Sequence, residues 1–76
     1  MNKQRRIRIE VVQLKLEEIL AELNTIMDEE QEAFDAMPES IQSSERGEKI
    51  EAGIYNLQCA LDGIESINDE LNEAKE

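Results

Sequence analysis

Apolar residues in the first half of the chain fall at Ile9, Val12, Leu16, Ile19, Leu23 and Ile26, in steps of three and four. This is a heptad with its a and d positions filled, and it predicts a long amphipathic helix. Leu20, Met27 and Phe34 add a flanking row at e. The second half repeats the pattern, with Ile50, Leu57, Ile64 and Leu71 at a, and Gly53, Ala60, Ile67 and Ala74 at d. Ile54 and Leu61 stand at e. Both stripes have the width of bundle helices.

Pro38 divides the two patterns. The residue before a proline is pushed out of helical geometry, so helix one is expected over about 4–36. Residues 37–43 then form the connection, with one short turn over Pro38–Gln42. Ser43 or Ser44 can accept an orphan N–H of the next first turn, and helix two is expected over about 44–74. The chain thus reads as a single all-α domain, 1–76, folded as an antiparallel helical hairpin.

One register serves both stripes. Facing a positions pair 9 with 71, 16 with 64, 23 with 57 and 30 with 50, and their numbers add to 80. Facing d positions pair 12 with 67, 19 with 60 and 26 with 53, and add to 79. Glu30 opposite Ile50 is the weak layer. In this a/d seam the g flank is polar, with Lys15, Glu22 and Glu29 facing Lys49, Asn56, Gly63 and Glu70. The e flank is apolar. Leu20, Met27, Phe34, Ile54 and Leu61 would form an exposed edge, and such an edge calls for a cover. The expectation is a second hairpin along that row, giving a four-helix bundle dimer. Ile7, Val11 and Leu14 on helix one, and Ala52, Tyr55 and Cys59 on helix two, lie away from these rows. They read either as a second apolar face, allowing a higher oligomer, or as scattered surface residues.

Length sharpens the need for assembly, since 76 residues bury too little surface to be robust without a staple. None is visible: Cys59 is the only cysteine, which excludes an internal disulfide and fits a reducing, cytoplasmic setting. The net charge of −11 is unevenly spread. Residues 1–15 balance to +4 and residues 16–76 to −15. Most of the body would therefore repel nucleic acid. The basic start lacks the uninterrupted apolar run of a signal peptide, because Glu10, Gln13 and Lys15 break it, and no run is long enough to span a bilayer.

Catalysis finds little support. The chain has no His, and Cys59 has no basic neighbour in sequence to lower its pKa. No enzyme, cofactor or metal function is expected. Asp28, Glu29, Glu32 and Asp35 have a spacing that would suit Ca²⁺ or Mg²⁺, but a solvated acidic helix face accounts for the same residues.

The run Ser43-Ser44-Glu45-Arg46-Gly47-Glu48-Lys49 offers a sharper mechanism. A helix N-terminus presents free N–H groups and partial positive charge, which suits phosphate. Arg46 and Lys49 are the only cations between Lys15 and Lys75, and they share one side of the helix. Gly47 would let a ligand approach, and Ser43 or Ser44 would hydrogen-bond to it. Glu45 and Glu48 oppose this, and a capped helix start with local charge pairs explains the same residues.

The stretch DEEQEAFDAMPESIQSSERGEK, from Asp28 to Lys49, together with the basic start NKQRR and the heptad-like tail, resembles a family of small proteins of phages and mobile elements of Gram-positive bacteria. The MPES turn and the SERGEK helix start are the specific part of the likeness. The family has no activity to transfer to individual residues, but it implies a phage origin and a role against host defence. The leading expectation is an oligomer that sequesters a cyclic or other phosphate-bearing nucleotide at Ser43, Ser44, Arg46, Gly47 and Lys49. A second is an acidic, nucleic-acid-mimicking inhibitor of a host protein, and a third is a structural helper or assembly factor.

Overall fold

Asn2 starts the first helix. Its backbone is extended, and its side-chain oxygen accepts the Arg5 N–H at 2.9 Å. In the computed structural model, which describes residues 1–76, α1 spans Lys3–Asp35. At 1.5 Å per residue its 33 residues make a rod of about 50 Å. Ala36 closes it, and Pro38 holds an extended backbone two residues on. A single turn, α2, then covers Glu39–Gln42. Ser44 is extended and caps α3, which spans Glu45–Ala74.

The molecule is all-helical, with α1 and α3 packed along each other in a body of 58 × 15 × 11 Å. Their antiparallel register is fixed at the open end by polar side chains. Gln13 Nε2 donates to Asn68 Oδ1 at 3.0 Å and to Asn72 Oδ1 at 2.8 Å. Lys75 Nζ donates to Gln13 Oε1 at 2.9 Å and lies 4.0 Å from Glu10. Gln13 and Asn68 both occupy e positions. One heptad from that pair, the register brings Leu20 level with Leu61, and one further brings Met27 level with Ile54.

The seam is rotated from the expected one. The helices meet through their a and e rows, not a and d. Leu61 is 3% exposed and is the only buried hydrophobic residue. Leu20, Met27, Phe34 and Ile54 are half-buried in the same seam. The row expected to seal a second hairpin therefore lies inside the first, and Leu61 has no surface left to offer one. The d row has turned outward: Val12, Ile19, Ile26 and Ile67 are between 43% and 48% exposed. Side-chain size accounts for the rotation. The d row of α3 starts with Gly53 and Ala60, which offer little apolar area, whereas the e row offers Ile54 and Leu61. Hydrophobic gain follows the area removed from water, so the helices turn toward the larger side chains.

Candidate functional site

The start of α3 is built by its own chain. Ser44 Oγ accepts the Gly47 N–H at 3.4 Å and donates to the Ile41 carbonyl. Ser43 Oγ donates to the Glu39 carbonyl at 2.9 Å. Gln42 reaches across the turn, and its Nε2 donates at 2.9 Å to the Phe34 carbonyl, which also accepts the Met37 N–H at 3.0 Å. Both serine hydroxyls are thus engaged within the turn.

Gly47 has a structural reason. It is buried, and a Cβ there would lie 2.1 Å from the Gln42 carbonyl oxygen and 2.6 Å from that of Ile41. The end of α2 presses against the first turn of α3 at this point. The space that the sequence reading gives to a ligand is filled by backbone. Only glycine fits here, and the reason is close approach, not an unusual dihedral angle.

Arg46 and Lys49 remain. Both are exposed, and neither forms an ion pair or a side-chain hydrogen bond. Glu45 and Glu48 flank them on the same turn. The five residues expected at the site are brought together, but in two sets with different duties. Ser43, Ser44 and Gly47 hold the corner, while Arg46 and Lys49 are exposed and unpaired at the surface.

Most of the acidic residues are as free as these two cations. All 19 carboxylates are exposed, and the Glu10–Lys75 contact is the only ion pair of the molecule. Asp28, Glu29, Glu32 and Asp35 do not converge, and no group of three or more acidic or cysteine side chains stands where a metal could be held.

Ile7, Val11 and Leu14 lie exposed on α1, and Tyr55 on α3 is 69% exposed. The Cys59 thiol, one turn from Tyr55, raises the phenol pKa above its ordinary value, first through a side-chain hydrogen bond and then through charge. Over the first third of α1 an open groove of about 540 Å³ is lined by Ile7, Val11 and Val12, with Arg5, Arg8 and Lys15 around it. No helix is long and apolar enough to cross a membrane.

The Gln13–Asn68–Asn72–Lys75 group is the one polar arrangement that the sequence reading passed over. Gln13 and Asn68 at matching e positions were its available signal. No family model, curated protein or solved structure matches the chain.

Proposed function

We propose that this chain is a non-catalytic, acidic helical binding protein that works as an oligomer and occupies a basic surface of a protein partner. The observation that carries the reading is the set of exposed carboxylates, of which only Glu10 is in an ion pair, along a rod 58 Å long. An acidic field of this extent attracts basic surfaces over several kT and speeds encounter with them. Partners that present such surfaces include nucleases and DNA-binding proteins, in keeping with the likeness to small phage proteins and a role against host defence. The oligomer has its support in the exposed d rows, since a hairpin with one buried hydrophobic residue gains little from folding alone.

The test is competition. The protein should displace DNA from a basic nuclease or repressor of the host, and the displacement should weaken steeply as salt rises. Changing Asp28, Glu32, Asp62 and Asp69 together to their amides should reduce it by more than tenfold, since each lost charge contributes about 0.5 kcal/mol. Displacement that is indifferent to both salt and these substitutions would refute the reading.

A second reading rests on the two free cations at the start of α3. Arg46 can hold a phosphate bidentately and Lys49 adds a point charge, so the same oligomer would sequester a phosphate-bearing nucleotide. Melting temperature against a panel of mononucleotides and cyclic dinucleotides tests it directly. A shift that disappears in Arg46→Ala/Lys49→Ala supports sequestration, and no shift with any nucleotide removes it.

A further inference from the structure

The face left open by the rotated seam has a definite composition. In an antiparallel pair of helices, like heptad positions share a side. The d rows of α1 and α3 therefore lie on one face: Val12, Ile19 and Ile26 beside Gly53, Ala60 and Ile67. Next to d on the outer edge of α1 runs the g row, Arg8, Lys15, Glu22 and Glu29. It carries two cations followed by two anions, each seven residues apart and each exposed.

We infer that a second copy of this chain covers this face, laid antiparallel so that α1 packs on α1 across a two-fold axis at Ile19. This deepens the oligomer in the reading above by naming its seam and orientation. In that arrangement Val12 meets Ile26 of the second copy, and Ile19 meets its own symmetry mate. Flanking g positions then pair Arg8 with Glu29 and Lys15 with Glu22, each twice by symmetry. On the α3 side, Lys49 falls opposite Glu70 of the second copy, which leaves Arg46 as the one unpaired cation for the nucleotide reading, and small Gly53 lies opposite Ile67. A parallel pairing of α1 with α1 would set Arg8 on Arg8 and Glu29 on Glu29. Laying α1 on α3 of the second copy instead satisfies Arg8 and Glu29, through Glu70 and Lys49, but leaves Lys15 and Glu22 facing Gly63 and Asn56. The charge pattern selects the first arrangement.

Two further features agree. The open groove on α1 includes Val12, Arg8 and Lys15 in its lining, the residues that would meet Ile26, Glu29 and Glu22 of the second copy. Area is also sufficient. A standard interface takes about 800 Å² from each partner, and the broad side of a rod 58 × 15 Å offers about that much. The net charge of −11 per copy opposes association. Screening within about 8 Å at physiological salt weakens that repulsion between distant faces more than it weakens matched pairs in contact.

Sedimentation of the full chain at physiological salt should show two copies. In a Cys59→Ser background, Ile19→Cys should oxidise to a disulfide-linked dimer, because residue 19 lies on the axis. Lys15→Glu should weaken the dimer about tenfold or more by setting like charges together. Adding Glu22→Lys should restore it, with helicity at one fixed concentration showing that each variant folds. A monomer in sedimentation would overturn the inference. So would a dimer that does not crosslink through residue 19 and ignores both charge changes, and Ile19→Cys/Ala60→Cys crosslinking between copies would then identify the α1-on-α3 arrangement. None of these substitutions touches Arg46, Lys49 or the carboxylates changed in the displacement assay, so the seam can fail while displacement of DNA stands; a monomer that still displaces DNA would remove the oligomer and leave the binding surface.

Discussion

The two ends of the hairpin hold α1 and α3 together by opposite means. At the corner, the backbone of Ile41 and Gln42 sits against Gly47, and Gln42 ties back to Phe34. At the open end, Gln13, Asn68, Asn72 and Lys75 meet through side-chain hydrogen bonds. The corner tolerates no added atom, whereas the open end is half-solvated and adjustable. Close contact and a fixed register are separate problems, and this chain solves each where it arises. A covalent turn brings the backbones together at one end. Two helices some 50 Å long need a directional signal at the other, which apolar residues alone do not give.

Substitutions should expose this contrast, beginning with the corner. Gly47→Ala should cost about 3 kcal/mol or more, because the new methyl collides with backbone that has no rotamer to escape into. Urea unfolding measures it, and a loss below about 1 kcal/mol would show that the corner gives way. Leu61→Ala, between the two ends, should cost about 2–3 kcal/mol through lost burial and the cavity left behind. At the open end, Gln13→Ala should cost about 1 kcal/mol, since Asn68, Asn72 and Lys75 lose a partner but retain water. A larger loss there would mean that register is held more at the open end than at the corner. Gly63 has open space around it, so Gly63→Ala should raise stability by up to about 1 kcal/mol, opposite in sign to the change at Gly47. Smallest of all, Glu10→Gln should change stability by less than about 0.5 kcal/mol, since its contact with Lys75 is long and half-exposed.

Much of this architecture is written in the chain, though not all of it. Steps of three and four show two helices, Pro38 shows where they part, and Ser44 shows where the second begins. The register was also within reach, because the a rows of both halves align at one offset. The rotation was not. Periodicity supplies three apolar rows and leaves open which two enter the seam; the answer depends on the area each row buries, and Gly53 and Ala60 decide it. Gly47 was legible as an exception but not in its meaning, since a glycine in a first turn admits a ligand or a neighbouring backbone equally well. Only the position of α2 tells the two apart. Gln13 went unnoticed because a single polar residue in an apolar stretch looks like an interruption until its partner 55 residues away is placed beside it.

The corner also has a consequence in time. Its contacts join residues five or six apart in sequence, Gly47 to Gln42 and Ile41, so they close in a short loop that costs little entropy. Gln13 and Asn68 stand 55 residues apart and can meet only after the helices between them have aligned. Folding should therefore begin at the corner and zip outward, with Gln13 and Asn68 closing last. Opening should run in reverse, so amide exchange ought to quicken steadily from Gly47 toward both termini, unless a second copy lying antiparallel on the open face evens that gradient out.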